Sequence, residues 1–423
     1  MNQCSKFFLL AGAFFGCQAH AAETAPGINN FTKPFNEYTW VTAHNGYLDD
    51  MAVQLNRGVR GFMLDLHPGK LKATKEAYLC HVSKNSTCDA RAHKKFSTAL
   101  KEVFIPFLLS NPNAVVTLIL ENHMDNEGFL KSLQAVPELG NWVFDPEAYS
   151  GSSWPTLQQI IASNKRLIIF TDSKSGRYQV SGRTVPILLN NSWQTQNYWD
   201  LGLTALKHNW SCESRWSDKK HAIQTTTDSG VDNWKRLFVL NQFHRWGSST
   251  AHAGHMDNNL TYLERRVDRH CATLIGQRKN PNYIAIDFNQ TGDAFPYAAA
   301  LSQGGFYFYE GNSASQDSVC VIPAGHNYNF RLASRGCEND EARSMRLRGV
   351  AKGTRITLFD SPTGSQKDDY VIIDVKRDIG INENNIVIGS FEKNFENRTF
   401  KIRAFYHNGL DGKVSRVKIE QKR

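Results

Sequence analysis

Histidines and carboxylates stand at the ends of several short β-branched runs in this sequence. His44 and Asn45 follow the first run, His81 ends the third, and Asp287 lies near the end of the last. Two imidazoles that face one site suit the cleavage of a phosphodiester, because one ring takes a proton from the attacking oxygen while the other gives a proton to the leaving oxygen. The residue types therefore predict acid–base chemistry by His44 and His81.

Phosphodiester cleavage also needs a positive charge beside the phosphoryl oxygens. An arginine can supply this charge, and so can a hard metal ion held by oxygen ligands. Asn45, Asp65 and Glu121 lie at the ends of the first, second and fourth runs and offer such oxygens. The residue types alone leave both devices open.

Eight β-rich runs must bring these side chains together. The runs are mostly separated by amphipathic or loop-like stretches, and residues 90–109 and 264–277 have the pattern of helices. Repeated strand–helix alternation predicts an α/β fold, a (β/α)8 TIM-like barrel in which the C-terminal ends of the strands face one mouth. The predicted strands are residues 39–43, 61–66, 78–81, 115–120, 166–171, 185–189, 237–241 and 283–288.

An irregular stretch rich in Trp, Asn and Ser, residues 190–236, interrupts this alternation. We expect it to pass over the barrel mouth. Packing suits its aromatic side chains better than insertion into lipid, although aromatic residues near the mouth would also suit an enzyme that works at a membrane surface. The side chains are Trp193, Trp199, Trp210 and Trp216.

Beyond residue 311 the pattern changes to short β-branched runs divided by turn signals. This pattern predicts a small all-β module of the Greek-key sandwich type over residues 318–423, after a linker at 311–317. The barrel domain is then expected over residues 22–311. The module carries an excess of six positive charges, within a formal charge of +9 for the chain. Such a surface favours anionic lipid over nucleic acid, because no basic stripe with interleaved aromatics occurs.

The first 21 residues have the pattern of a signal peptide. Lys6 precedes a short apolar run, and Ala19, His20 and Ala21 fit a small-residue cleavage site. We therefore expect cleavage after Ala21 and a secreted or periplasmic protein. Lipid attachment at Cys17 is the alternative.

Six cysteines lie beyond the predicted signal peptide. An even number in an oxidising compartment predicts disulfides, and no CxxC spacing supports a zinc site instead. Sequence proximity favours two pairs and leaves the third by remainder. The predicted pairs are Cys80–Cys88, Cys320–Cys337 and Cys212–Cys271.

Ordered blocks of this sequence resemble the X-domain of phosphatidylinositol-specific phospholipases C, most closely its extracellular plant and microbial branch. Together the blocks cover roughly residues 36–300, so the resemblance is specific. They read TAHNGY at 42–47, QLNRGVRGFMLD at 54–65, LCH at 79–81, VTLILE at 116–121, WPTL at 154–157, RLIIFT at 166–171 and NPNYIAIDF at 280–288.

The resemblance implies a barrel enzyme that cuts the bond between glycerol and phosphate of an inositol lipid at a membrane surface. His44 matches the family's base, which activates the inositol 2-hydroxyl. His81 matches its acid, which protonates the departing glycerol oxygen. Asp287 matches an aspartate that orients the base.

The resemblance also implies a way of neutralising the phosphate. Asn45, Asp65 and Glu121 match three oxygen ligands of the calcium-dependent members, so Ca²⁺ is the expected cofactor. The fourth ligand of those members falls at Met63, which cannot bind calcium. Metal-free members instead carry an arginine at the end of the second strand, where this chain has Asp65 or His67.

Two further residues of the second run, Arg60 and His67, are predicted to contact the substrate phosphate. For Arg60 the alternative is an ion pair in the barrel wall or floor. For His67 the alternative is a supporting or surface position.

In the C-terminal module, residues 338–344 and 409–415 resemble the two calcium loops of βγ-crystallin domains. Arg343 and Arg416 replace hydroxyl residues of that motif. The alternative is a module for stability or adhesion that binds no calcium.

Two other functions stay open. The same barrel fold acts on glycerophosphodiesters or sphingomyelin in related families, but their Glu-x-Asp pair is replaced here by Met63-Leu64-Asp65. A catalytically idle lipid- or glycan-binding protein would explain Met63, but it would not explain why His44 and His81 are both present.

Overall fold

The computed structural model describes residues 24–70, 75–83, 86–89, 91–149, 153–198, 201–202, 207–216, 220–222, 234–244, 251–274, 277–405 and 408–421. The predicted signal peptide and Trp199 lie outside these residues. None of the helices in the described ranges combines the length and the apolar character that a membrane span requires.

Twelve strands belong to the N-terminal lobe of the described chain, residues 24–304. Most coincide with the β-branched runs of the sequence. They are β1 Trp40–Ala43, β2 Gly61–Pro68, β3 Ala77–Leu79, β4 Val116–Asn122, β5 Leu167–Thr171, β6 Gly176–Val180, β7 Arg183–Leu189, β8 Gln194–Gln196, β9 Leu237–Asn241, β10 Thr273–Leu274, β11 Gln277–Arg278 and β12 Tyr283–Ile286.

Short helices connect these strands. Two of them continue into π-helical turns, Leu100–Phe104 and Arg265–Cys271, so the predicted helices at 90–109 and 264–277 are observed over 96–110 and 260–271. The helices are α1 Met51–Arg57, α2 Phe96–Ala99, α3 Ile105–Ser110, α4 Asn126–Gln134, α5 Leu157–Ala162, α6 Asn190–Trp193, α7 Ala251–Asp257, α8 Leu260–Glu264 and α9 Ala294–Gln303.

Eight parallel strands form one sheet in the order β7-β5-β4-β2-β1-β12-β9-β8. The prediction of a parallel strand at 78–81 is wrong, because β3 runs antiparallel to β2 as a hairpin arm. The eighth parallel strand is β8, which lies in the stretch predicted to be irregular. Within the described residues no ladder joins β7 to β8, so the sheet is barrel-like but a complete barrel is not observed.

Side chains of the sheet alternate between two apolar layers, as the period of a strand requires. On β4, Leu118 and Leu120 pack in a core that also contains residues of the flanking helices, including Phe104. Ile119 points the other way, into a second cluster with Phe170. The two faces of β4 therefore contribute to two separate apolar clusters.

The C-terminal module, residues 305–421, consists of two antiparallel sheets around one apolar core, consistent with the predicted all-β sandwich. One sheet has the order β14-β13-β16-β19 and the other β15-β22-β17-β18-β21-β20. The strands are β13 Gly305–Gly311, β14 Ser315–Pro323, β15 Tyr328–Arg331, β16 Ser344–Arg348, β17 Arg355–Phe359, β18 Tyr370–Val375, β19 Val387–Ile388, β20 Phe395–Glu396, β21 Phe400–Phe405 and β22 Arg416–Glu420.

The predicted linker at 311–317 is wrong, because these residues form the tight end of the β13–β14 hairpin. This hairpin serves both lobes. Phe306 and Phe308 enter the core of the module, whereas Tyr307 and Tyr309 enter the core of the N-terminal lobe. Alternate residues of β13 thus pack into different cores. Both faces of this strand are buried, and it contributes to the core of each lobe.

A buried ion pair crosses the same boundary. Arg348 on β16 donates from Nη2 to Oδ2 of Asp268 at 2.8 Å, and Arg278 binds the other carboxylate oxygen. Burial would raise the pKa of Asp268, but the two guanidinium groups outweigh it and hold that pKa well below its ordinary value. The contact between the lobes is therefore ionic as well as apolar.

The three predicted disulfides are all present. They join Cys80 to Cys88, Cys212 to Cys271, and Cys320 to Cys337. Such bonds are typical of proteins that fold in an oxidising compartment.

The two segments that resemble calcium loops lie side by side in the module. Ser415 Oγ donates to Oδ1 of Asp340 at 2.9 Å, which joins the segments. The Arg343 guanidinium donates to the carbonyl of Glu310 and lies against Gly412, where an added Cβ would meet its Nη2 at 2.8 Å. A positive charge therefore already lies between the loops, and calcium binding there stays a prediction.

Candidate active site

A cavity of about 370 Å³ opens at the C-terminal ends of the parallel strands. Six of the residues singled out in the sequence lie in its wall. Parallel strands place five of them there because the carboxyl ends of such strands share one edge of the sheet, and His81 arrives by another route. These residues are His44, Asn45, Met63, Asp65, His81 and Glu121.

The His44 ring is held by two neighbouring side chains, Asp287 and Phe243. Ala43 pairs with Ile286 in the β1–β12 ladder, so the next residues, His44 and Asp287, stand at the same level. Nδ1 of His44 lies 2.9 Å from Oδ1 of Asp287. The Phe243 ring stacks on the imidazole with centroids 3.5 Å apart and planes within 5°. A carboxylate accepts the Nδ1 proton, which leaves Nε2 as the atom that can take a proton.

His81 lies two residues beyond the end of β3, directly after the half-cystine Cys80. The antiparallel β2–β3 hairpin carries its side chain to the cavity although β3 is not part of the parallel set. His81 and His44 therefore line the same cavity, and Asp65, which also lines it, lies between them in the sequence.

The predicted metal ligands form one polar group. The Tyr47 hydroxyl lies 2.8 Å from Oδ2 of Asp65 and 3.2 Å from Oδ1 of Asn45. Glu121 is the ladder partner of Asp65 on β4. Burial, followed by repulsion from Glu121, raises the pKa of Asp65 to about 6.

This group fits a hard cation. Two carboxylates on neighbouring strands destabilise each other's charged forms, and a cation between them would remove that cost. Met63 lines the same wall two residues before Asp65 and adds no oxygen ligand. The chain's own ligands therefore number three, as the resemblance implies, and calcium binding stays a proposal.

Arg60 lies at the other end of the sheet. It precedes β2, and its guanidinium donates to the carbonyls of Thr24, Leu55 and Val59 at 2.7–2.9 Å. It is buried over the Phe107 ring. The predicted contact to the substrate is wrong, because Arg60 stands at the N-terminal end of its strand and stabilises the floor of the lobe.

His67 is buried beside the site and does not line the cavity. Its ring stacks at 4.2 Å on that of His123, whose Nε2 is 3.0 Å from Oε1 of Glu121. Burial, with a smaller contribution from His123, lowers the pKa of His67 to about 4. A neutral ring cannot supply the positive charge that a phosphate needs near neutral pH, although His67 supports the Glu121 wall.

Several residues of the cavity were not among the predicted site residues. Asn190 and Asn241 end β-rich runs, so the rule that strand ends face the mouth could have found them. Gln196 and Arg215 come from the irregular stretch and carried no such signal. Apart from the apolar Leu64, Ile119 and Leu120, the set is Asp172, Asn190, Gln196, Arg215, Asn241 and Phe243.

A buried cluster of two histidines and one aspartate includes His244, the residue that follows Phe243 in the chain. Asp257 Oδ1 lies 2.7 Å from His208 Nε2, and its Oδ2 lies 3.1 Å from His244 Nε2. The ligand-type atoms all lie within 4.8 Å of one another. Burial would raise the pKa of Asp257, but its bonds to both rings outweigh burial and lower it. The two separations are those of hydrogen bonds, so we interpret the cluster as a support for Phe243.

The tryptophans of the irregular stretch divide between packing and exposure. Trp193 is buried edge-on against Trp154 and Trp234, as expected. Trp216 is 37 % exposed beside Arg215.

Comparison with known proteins assigns most of the N-terminal lobe to a family. The model of the PI-PLC X 1 family matches residues 39–302, which is more than half of the chain. The chain belongs to the PI-PLC X domain family. The matched range contains both cavity histidines, Asp287 and the three predicted oxygen ligands.

Curated relatives match over parts of their length. A PI-PLC X domain-containing protein of Arabidopsis thaliana, At5g67130, is 30% identical over 159 residues, covering 33% of this chain and 36% of that protein. An uncharacterized secreted protein of Arthroderma benhamiae is 29% identical over 271 residues, covering 60% and 55%. The chain spans about a third to a half of the length of the curated relatives it matches.

Solved structures of phosphatidylinositol-specific phospholipases C also match. The protein from Listeria monocytogenes is 13% identical with a TM-score of 0.42, covering 63% of this chain and 94% of that one. A Staphylococcus aureus counterpart is 14% identical with a TM-score of 0.37, covering 64% and 93%.

Proposed function

We propose that this protein is an exported phosphodiesterase of the phospholipase C type that cleaves a phosphoinositide-like lipid. The observation that carries the proposal is the placement of His44 and His81 in one cavity, with Asp287 bonded to Nδ1 of His44. Membership of the PI-PLC X domain family makes a phosphodiester the expected substrate.

The reaction divides its proton transfers between the two rings. Nε2 of His44 takes the proton of the inositol hydroxyl next to the phosphate, and the freed oxygen forms a bond to phosphorus. The bond from phosphorus to the glycerol oxygen breaks, and His81 gives that oxygen a proton. The products are a cyclic inositol phosphate and diacylglycerol, so atoms and charge balance. Asp287 stabilises the imidazolium that forms on His44.

Asn45, Asp65 and Glu121 are the residues that would hold Ca²⁺. The ion would supply positive charge to the phosphoryl oxygens when bound. The Tyr47 hydroxyl contacts both Asn45 and Asp65 and so links their side chains.

Exposed apolar side chains near the mouth support work at a membrane surface. Leu48 and Val53 lie close in sequence to the cavity residues His44 and Asn45, and they are 56% and 51% exposed. Tyr198 and Trp216 are exposed next to the β8 side of the cavity. Apolar groups at the rim would anchor the enzyme while the headgroup enters.

Export is supported by three observations. The first 21 residues have the signal-peptide pattern, the structure contains three disulfides, and one relative is described as a secreted protein. The Ala19–Ala21 site favours cleavage over lipid attachment at Cys17.

The test incubates purified protein with phosphatidylinositol, glycerophosphoinositol, sphingomyelin and phosphatidylcholine, with and without chelator. A cyclic inositol phosphate in the ³¹P spectrum would identify both substrate and nucleophile. Release of headgroup from sphingomyelin or glycerophosphoinositol alone would redirect the proposal to those substrates. Binding of lipid vesicles with no turnover of any of the four would indicate an idle binding protein.

A further inference from the structure

Arg215 enters the cavity from the wall that faces the carboxylates. Its backbone N–H donates to the carbonyl of Gln196 at 2.8 Å, and its Nη1 lies 3.3 Å from Oε1 of the same residue. Gln196 ends β8, which stands four strands from β2 in the sheet order. Arg215 and Asp65 therefore belong to opposite sides of the cavity, and both are in its lining.

The segment that carries Arg215 is held by more than one contact. Ser214 bridges to Asn197, and the Tyr198 N–H donates to the carbonyl of Glu213 at 2.9 Å, so the segment extends the edge beyond β8. Cys212, three residues before Arg215, forms a disulfide with Cys271. This bond joins the segment to the π-helical turn that follows α8. An arginine on a free loop would be a solvated surface charge, whereas this one starts from a fixed backbone.

Arg215 is the one arginine or lysine side chain in the described lining of the cavity. The other ionisable side chains there are two histidines and three carboxylic acids, namely His44, His81, Asp65, Glu121 and Asp172. No described carboxylate forms an ion pair with the Arg215 guanidinium; its contacts are the neutral amide of Gln196 and the Trp216 ring at 5.7 Å. The guanidinium therefore has donors left for an anion.

We propose that Arg215 is the residue that binds the phosphate of the substrate and neutralises the charge that develops on its oxygens. A phosphoryl group gains negative charge at its nonbridging oxygens as the attacking oxygen approaches, and a fixed guanidinium stabilises that charge with paired hydrogen bonds. This inference rests on the proposed function and assigns a task that Arg60 and His67 cannot perform. Gln196 positions the guanidinium without competing for its charge.

The test compares wild type with Arg215→Gln and Arg215→Lys. Arg335→Gln is the matched control, because Arg335 is also an exposed arginine over an aromatic ring, 5.3 Å from the centroid of Phe330 in the C-terminal module. Turnover of phosphatidylinositol in mixed micelles gives kcat and KM. Calorimetric titration with inorganic phosphate gives a second readout that does not depend on the lipid.

We expect Arg215→Gln to lower kcat by about 10²–10³, the usual effect of removing one donor to a developing oxyanion. Arg215→Lys should recover part of the loss, because lysine keeps the charge but loses the paired geometry. Phosphate affinity should fall in Arg215→Gln, and Arg335→Gln should match wild type in both readouts.

The two readouts separate this inference from the proposed function. If wild type turns over no inositol lipid but binds phosphate, and Arg215→Gln weakens that binding, the lipid assignment fails and the role of Arg215 stands. If wild type cleaves phosphatidylinositol while Arg215→Gln stays within threefold of it in kcat and in phosphate affinity, the role of Arg215 is overturned and the proposed function stands.

Discussion

Asp65 and Glu121 are register partners on neighbouring parallel strands, so the ladder that forms the sheet also holds two carboxylates side by side. Burial and this neighbour raise the pKa of Asp65 to about 6 from an ordinary value of 3.8. The folded protein therefore carries an unfavourable charge at neutral pH. Such a cost is common where a site is built for a ligand and not for stability.

Asp65→Asn should stabilise the protein and impair its activity. The unfolded chain loses the Asp65 proton near pH 4, whereas the folded chain keeps it until about pH 6. Stability therefore falls as pH rises through this window, and the cost is fully present above it. In chelator at pH 7.5 the variant should gain on the order of 1–3 kcal/mol in the free energy of unfolding, and the gain should vanish near pH 4. Urea titrations at both pH values measure it, and an equal gain at both would contradict the assignment.

Replacing either histidine should stop most turnover without unfolding the protein. His44→Ala or His81→Ala should lower kcat by about 10²–10⁴, the usual contribution of a positioned acid or base. Circular dichroism and thermal melts serve as the folding control. Near-normal turnover in a folded variant would remove that histidine from the mechanism.

Asp287→Asn tests the orientation of His44 separately from its presence. The amide keeps the size of the carboxylate but no longer stabilises an imidazolium, so kcat should fall while KM for the lipid stays close to that of wild type. The double variant His44→Ala/Asp287→Asn should be no slower than His44→Ala, because Asp287 is expected to act through the His44 ring. A further drop in the double variant would show that Asp287 acts independently of His44.

Met63→Glu should strengthen calcium binding at the mouth. The new carboxylate would stand on the same face of β2 as Asp65, two residues earlier, and would add the missing fourth oxygen ligand. Calcium titration calorimetry on wild type, Met63→Glu and Asp65→Asn should give the order Met63→Glu, wild type, Asp65→Asn from tightest to weakest. Full wild-type activity after exhaustive chelation would contradict a role for metal and leave the neutralisation of phosphate to Arg215.

The ion pair between the lobes should matter most when only one partner is removed. Arg348→Met leaves the buried Asp268 carboxylate with one cation fewer and should lower the free energy of unfolding by about 3–5 kcal/mol. Adding Asp268→Asn should recover part of that loss, because the buried carboxylate charge is removed and only Arg278 then lacks its partner. Denaturant titrations of both single variants and the double variant give the coupling; strictly additive losses would contradict it.

The sequence by itself determined which side chains at the ends of the parallel strands line the cavity. A β-branched run predicts a strand, parallel strands share a carboxyl edge, and the residue after each run therefore faces one space. This reasoning placed His44, Asp65 and Glu121 correctly, and the same rule excludes Arg60, which precedes its strand. The disulfides also followed from the sequence, because short loops and an even count of cysteines restrict the pairing.

Only the tertiary structure decided the features that depend on contacts between residues far apart in the chain. Residues 77–79 form a strand as expected, but their antiparallel direction depends on the hairpin with β2. Residues 311–317 are small and polar, which suits a turn as well as a linker, and the pairing of β13 with β14 selects the turn. Arg215 lies 150 residues from Asp65 in an irregular stretch; a bridge, a backbone bond to β8 and one disulfide bring it to the cavity, and no local pattern of residues encodes those contacts.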